Sequence, residues 1–246
     1  MYYFVSDIHL GLQTDGDPRR KEKLFVEWLD RVSADADALF LVGDIFDFWF
    51  EYRRVVPKGQ VRTLGKLAEL SDRGVRIHFF PGNHDMWVRD YFRSECGVEI
   101  HERPELLTLG GKKVFIAHGD NLNVGRRPML RLMNAVFRSR TARWLFSWLV
   151  HPDLALAFGN RWSESSRKAK SVTKTFCGEQ EPQIGFARRF LEHCDADYFI
   201  FGHIHCLEEY PLDERRRAFF LGEWFENPAY AVMDDRGEIT LKRIER

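Results

Sequence analysis

The 246 residues are 44% apolar and 14% aromatic, enough for a buried core, which excludes a disordered chain. Charge balances at zero, 37 basic against 37 acidic residues, which excludes a general nucleic-acid binder. The four cysteines, Cys96, Cys177, Cys194 and Cys206, form no CxxC pair and no disulfide framework, so a reduced cytoplasmic setting is expected.

The apolar run at 1–5 predicts a first buried strand. It carries no basic n-region or cleavage-like site, so no signal peptide is expected. Leu24, Phe25, Trp28, Leu29 and Val32 fall at helical spacing and predict a helix over 19–32. A second strand follows at 38–42. Val61, Leu64, Leu67, Ala68 and Leu70 predict a helix over 60–73, ended by Gly74. A third strand, 75–80, stops at Pro81 and Gly82. Strands alternating with helices imply βαβ units and a largely parallel sheet. Segments 106–109 and 113–117 flank Gly110 and Gly111, whose tolerance of positive φ suits a tight hairpin.

After Gly119 the pattern turns helical. Met129, Leu132, Met133, Val136 and Phe137 form one stripe. A second apolar helix covers 142–150 and stops at His151 and Pro152, and a third starts near Asp153, a good N-cap. Residues 121–180 therefore read as a helical cap inserted between core segments 1–120 and 181–246. Within it, residues 121–170 hold ten Lys or Arg against Asp153 and Glu164, a net of +8 that the rest of the chain offsets. Such a split suits either a basic surface facing an anionic substrate or membrane, or an ordinary solvated helical face. The most apolar stretch, 144–158, is too short and too polar to span a bilayer. The α/β pattern returns with a helix at 184–194 and a strand at 198–201. The last strands, 218–221, 230–233 and 238–244, read as antiparallel.

Five polar segments each follow a predicted strand: Asp7-Ile8-His9, Gly43-Asp44-Ile45-Phe46-Asp47, Gly82-Asn83-His84-Asp85, His118-Gly119-Asp120 and Gly202-His203-Ile204-His205. Open α/β sheets form their sites beyond the strands' carboxyl ends, so five such clusters can converge on one site. In the pairs Asp7/His9 and His203/His205, an extended chain would point both side chains the same way. Carboxylate, imidazole and amide donors together suit Mn, Fe, Zn or Mg and not a thiolate metal. Alone, a Gly-Asp pair is usually a turn and a lone His a satisfied polar group. Five in this order, each after an apolar run, are not explained as turns.

The set DIHLG, GDIFDFW, GNHD, HGD and GHIH resembles the calcineurin-like metallophosphoesterases, from Val5 to the GHIH segment. The resemblance implies an α/β fold, a two-sheet αββα sandwich. It implies two divalent metal ions, Mn²⁺ before Fe, Zn or Mg. Asp7, His9, Asp44 and His205 would hold the first ion; Asp44, Asn83, His118 and His203 would hold the second, with Asp44 bridging. His84 would sit over the substrate phosphate, with Asp85 orienting its ring.

Within that family, the chain is similar to the UDP-2,3-diacylglucosamine pyrophosphohydrolases of lipid A synthesis. The supporting features are the aromatic GDIFDFW segment, the basic insertion after HGD, and the segment Leu221-Gly222-Glu223-Trp224. One position departs: well-characterised members carry Arg where this chain has His84. The resemblance implies an anionic lipid-nucleotide substrate, contacted by Asn83, His84, Arg161, Ser165, Arg167 and Lys168. It also implies peripheral contact with the inner membrane from the cytoplasmic side, and it leaves the oligomeric state open. Trp144, Phe146, Trp148 and Phe158 either pack the insertion's own core or offer a face to acyl chains. Two other readings are a soluble phosphodiesterase or phosphatase acting on nucleotides, and a non-catalytic scaffold. Scaffolds usually lose ligands, and here the whole set is present.

Overall fold

The computed structural model describes residues 1–12, 17–122, 135–137, 139–159, 161 and 175–244. Short strands with no charged side chain on either face lie at its centre, as expected for strands covered on both sides. They include β1 (Tyr2–Val5), β2 (Ala38–Leu41) and β7 (Tyr198–Phe201). The helices α1 (Pro18–Val32) and α2 (Val61–Asp72) link β1, β2 and β3 (Arg76–Phe79) into parallel neighbours. Asp17 caps α1 by accepting the Arg19 N–H at 2.9 Å, and a proline opens the first turn. The short α3 (Tyr91–Cys96) leads into β4 (Glu99–Ile100). Then come the hairpin β5 (Glu105–Leu109) and β6 (Lys112–Ala117), β7, β8 (Leu207–Pro211), β9 (Arg217–Leu221), β10 (Ala229–Met233) and β11 (Ile239–Arg243).

Among the described residues, two sheets stack. One has the order β11-β10-β1-β2-β3-β4, the other β5-β6-β7-β9-β8. Alternation along each strand splits the core into layers. Phe4, Phe40, Val42 and Phe80 face Val114, Ile116, Ile200 and Phe219 between the sheets. Tyr3, Val5, Leu39 and Leu41 point the other way, onto Phe25, Trp28 and Leu67 of the first two helices. Phe115, Phe199 and Phe201 pack against Ile184 and Ala187 of the helix Pro182–Leu191. The result is the expected αββα sandwich. Each fully buried Phe contributes about 1.5–3 kcal/mol, so these layers dominate its stability.

Among the described residues, α3, β4 and β8 escaped the sequence reading. The first two have six and two residues, too few to show a period. The last strands do not form one antiparallel unit. β9 lies parallel to β7 in the second sheet, whereas β10 and β11 complete the first. Between them the chain crosses from one sheet to the other, anchored where the Trp224 N–H donates to the Asp7 carbonyl at 3.2 Å.

Of the expected insertion, the described part contains helical residues 135–137, the helix Arg140–Leu149, and helical residues 152–159 and 161. Met129, Leu132 and Met133 of the expected stripe lie outside the described residues. Asp153 is not the cap of the third helix. His151 Nδ1 accepts the Asp153 N–H at 3.3 Å, and Pro152, needing no N–H partner, begins the turn. No helix among the described residues is long and apolar enough to cross a membrane.

Candidate metal centre

Pairing between the first two loops continues past the ends of β1 and β2. The Asp7, His9 and Leu10 N–H groups donate to the carbonyls of Gly43, Asp44 and Ile45 at 3.1, 2.9 and 2.8 Å. To turn while keeping that pairing, the chain places Asp7 (φ 53°), His9 (51°) and Asp44 (52°) in the left-handed region. His203 (72°) and His205 (59°) do the same beyond β7. Among the described residues, Gln60 is the one other non-glycine at positive φ. Each such residue costs about 1–2 kcal/mol, so the strain gathers at this site. The expectation of extended chain at the Asp7/His9 and His203/His205 pairs is thereby corrected. Alternate left-handed residues aim both side chains together, and Ile8 and Ile204 between them are buried in the core.

The two central carboxylates divide their oxygens. Asp7 Oδ2 accepts the Ser6 hydroxyl at 2.5 Å and the His203 N–H at 2.9 Å. Its Oδ1 is left 3.1 Å from His205 Nε2 and 3.8 Å from His9 Nε2. Asp44 Oδ1 accepts the His84 N–H at 2.8 Å, leaving Oδ2 3.3 Å from His118 Nε2, 3.8 Å from His9 Nε2 and 4.0 Å from His84 Nε2. Two imidazoles are fixed in the same manner. The Val42 and Asp47 carbonyls accept Nδ1–H from His118 at 2.9 Å and from His84 at 2.8 Å, so Nε2 of each ring faces inward.

Donor atoms of Asp7, His9 and His205 come within 4.8 Å of one another, as do those of Asp44, His118 and His203. Asp44 also groups with His9 and His84, which places it between the two sets. Buried polar atoms without a hydrogen-bond partner collect here: Asp7 Oδ1, His9 Nε2, Asn83 Oδ1 and His118 Nε2. One such atom ordinarily costs about 1–3 kcal/mol. Four of them, all good donors to hard or borderline cations, fit divalent metal ions.

The electrostatics agree with that fit. Burial alone would raise Asp7, but His205 and His9 hold it well below the usual carboxylate range. Asp44 is lowered too; burial opposes this and the rings of His118, His84 and His9 outweigh it. Burial would lower His9, yet Asp47, Asp7 and Asp44 bring it up to about 9. His118 rises against burial to about 10, chiefly through Asp44. His84 moves the other way and is lowered, by burial above all. The pocket thus concentrates negative charge that wants cations beside it.

Asp85 does not orient the His84 ring. Its Oδ1 accepts the N–H groups of Gly82 (2.7 Å) and Asp44 (3.2 Å), and its Oδ2 those of Ile45 (2.8 Å) and Phe46 (3.3 Å). Adjacent side chains diverge, so Asp85 runs beneath the 43–47 loop while the His84 ring turns to the Asp47 carbonyl. Burial, and then Asp44, pushes the Asp85 carboxyl up to about 7. Gly82 makes the approach possible, since a Cβ there would stand 2.2 Å from Asp44 Oδ1.

The sequence reading passed over three residues here. Asp47 places its buried carboxylate 3.4 Å from His9 Nδ1 as well as holding His84; it already stood in the Gly43 to Asp47 segment. Phe225 stacks on His9, with centroids 5.1 Å apart. Lys21 Nζ sits 4.8 Å from the centre of that ring and donates to the Ile8 and His9 carbonyls at 3.0 and 2.9 Å. Nothing in local spacing marks either residue. Trp224, by contrast, is buried against Phe25 and Trp28 in the core.

A cavity of about 720 Å³ opens beside His118 and Asp120, against Phe80, Arg103 and the insertion's Phe137 and Arg143. Arg143 Nη1 donates to the Val88 carbonyl at 3.0 Å and ties the insertion to the core. Phe146 packs on Phe50 and Trp87, but Trp144, Trp148 and Phe158 are 58%, 76% and 55% exposed. Arg161 is an exposed helical residue, and Ser165, Arg167 and Lys168 lie outside the described residues.

The family model for calcineurin-like phosphoesterases matches residues 2–207. The UDP-2,3-diacylglucosamine hydrolase of Porphyromonas gingivalis is 40% identical over 245 residues, 94% of this chain and 93% of that protein. The enzyme of the same name from Haemophilus influenzae is 28% identical, over 96% of each chain. Both likenesses run through the insertion as well as the two sheets. With most of its length matched, and with strained carboxylate and imidazole donors at the strand ends, the chain belongs to the calcineurin-like phosphoesterase family.

Proposed function

We propose that this chain hydrolyses the pyrophosphate bond of UDP-2,3-diacylglucosamine, releasing UMP and 2,3-diacylglucosamine 1-phosphate. The observation that carries the reading is the Asp44 carboxylate, whose Oδ2 faces both sets of donors. The substrate is supported by the name of the Porphyromonas gingivalis relative, alike over nearly the whole chain. In this reading Asp7, His9, Asp44 and His205 hold one ion, and Asp44, Asn83, His118 and His203 the other, Mn²⁺ in both places. When bound, such a pair of ions activates water for in-line attack and neutralises the phosphoryl oxygens.

The chain's own residues supply the rest. Ser6 and the His203 N–H fix Asp7, and the His84 N–H fixes Asp44, so neither carboxylate reorganises during turnover. His84, held at Nδ1 by the Asp47 carbonyl, presents Nε2 to the departing oxygen and, in its imidazolium form, gives it a proton. Residues 121–180 act as a cap. Trp144, Leu145, Trp148 and Leu149 on its helix give acyl chains or the cytoplasmic face of the inner membrane an apolar surface. Arg161, Arg167 and Lys168 add positive charge for the phosphates.

Mass spectrometry of UDP-2,3-diacylglucosamine incubated with the protein and Mn²⁺ tests the proposal. UMP together with a lipid monophosphate is the expected pair. UDP together with a neutral lipid, or turnover of soluble nucleotides only, would overturn it.

A further inference from the structure

A second group of metal-type ligands lies at the open edge of the sandwich and shares no residue with the centre just described. His78 on β3 and Glu99 on β4 are direct partners in the parallel register, and His101 follows two residues after Glu99. The His101 N–H donates to the Phe79 carbonyl at 2.8 Å, so the pairing still holds there and Glu99 and His101 share a face. Across the gap, β5 is the edge strand of the other sheet, and its first residue, Glu105, reaches His101.

The distances are those of a coordination site. His78 Nδ1 lies 3.0 Å from His101 Nε2 and 3.3 Å from Glu99 Oε2, and His101 Nε2 is 4.0 Å from Glu99 Oε1. Zn–N bonds of about 2.0–2.1 Å at the tetrahedral angle separate two nitrogens by about 3.3 Å, so shifts of a few tenths of an ångström suffice. Glu105 Oε1, 3.0 Å from His101 Nδ1, fixes the ring with Nε2 towards His78, the arrangement by which carboxylates orient ligating histidines. Both rings are clamped. His78 stacks on Phe40 at 4.7 Å and His101 on Phe80 at 4.4 Å. The Glu99 side chain is 64% exposed, so the third ligand is free to adjust and an ion can enter from solvent.

We propose that His78 Nδ1, His101 Nε2 and the Glu99 carboxylate form a mononuclear site for a zinc-like divalent ion. Glu105 is its positioning residue. Two imidazoles and one carboxylate favour Zn²⁺ over Ca²⁺ or Mg²⁺. With ligands from β3, β4 and the residue after β4, and a supporting carboxylate from β5 of the other sheet, the ion staples the sandwich at an edge where, among the described residues, neither sheet has a further strand.

Chelator-stripped full-length protein titrated with Zn²⁺ alone provides the test. Asp44→Ala should retain one equivalent of ion, and adding Glu99→Gln or His78→Gln should remove it. Glu99→Gln changes an exposed residue, so a folding failure does not mask the result. Glu105→Gln should weaken binding at this site about 10–100-fold. Zn²⁺ should raise the Tm of Asp44→Ala and leave that of Asp44→Ala/Glu99→Gln unmoved. Glu99→Gln alone should hydrolyse phosphodiesters at the parent rate. Equal Zn²⁺ content with and without Glu99 and His78, or no residual equivalent in Asp44→Ala, would overturn the site.

Discussion

Asp85 and Asp44 hold each other through the backbone. The Asp44 N–H donates to Asp85 Oδ1 at 3.2 Å, while Asp44 Oδ1 accepts the N–H of His84, the residue before Asp85, at 2.8 Å. Two loops some forty residues apart are thereby locked in one register. The oxygen that faces the metal donors is the one this lock leaves over.

Asp85→Asn should loosen that lock. The amide group of Asn would point its own N–H at backbone donors that Asp85 now accepts, at a cost of about 1–3 kcal/mol for each amide left unpaired. A lower Tm by calorimetry and reduced metal content are expected, with the fold retained. Wild-type Tm and full occupancy together would show that the clamp carries no weight.

Asp44→Ala should disturb both ion positions, because its Oδ2 faces His118 of one donor set at 3.3 Å and His9 of the other at 3.8 Å. Asp7→Ala should mainly weaken one. Elemental analysis after gel filtration reads the difference. Two ions still held at full occupancy by Asp44→Ala/Glu99→Gln, which lacks the edge site, would end the bridging assignment.

His84→Ala should discriminate between leaving groups. General acid assistance is typically worth about 10²–10⁴-fold, and it matters most for a poor leaving group. An alkyl or sugar phosphate linkage should slow within that range, while a nitrophenyl ester should lose far less. Metal content should stay constant. If kcat holds for both substrates and KM rises equally, His84 binds phosphate and carries no proton.

Trp144→Ser with Trp148→Ser should lower kcat/KM for the lipid nucleotide presented in vesicles. The two rings stand parallel, 6.5 Å apart, and are both exposed, so their removal costs little stability. Hydrolysis of a small phosphodiester should not change. Equal losses on both substrates would mean that the cap supports the site and selects nothing.

The sequence by itself determined the layers and the chemistry at their edge. Apolar runs such as Phe40 and Leu41 or Phe199 to Phe201 have one stable place, between two covering layers, so their strand character is written locally. The residue types after those runs, carboxylate and imidazole with glycine beside them, marked candidate donors for divalent ions. Tertiary structure decided which atom of each donor is available. The partners that set this are remote: His203 lies 196 residues from the Asp7 oxygen it binds, and His84 lies 40 from that of Asp44. The same holds for the Asp85 carboxylate under the 43–47 loop, the left-handed turns at Asp7 and His9, and the ring of Phe225 over His9. Each depends on a contact that spacing along the chain does not encode. So does the parting of β9 from β10, because which sheet a short apolar strand joins is set by the neighbour it meets and not by its own residues.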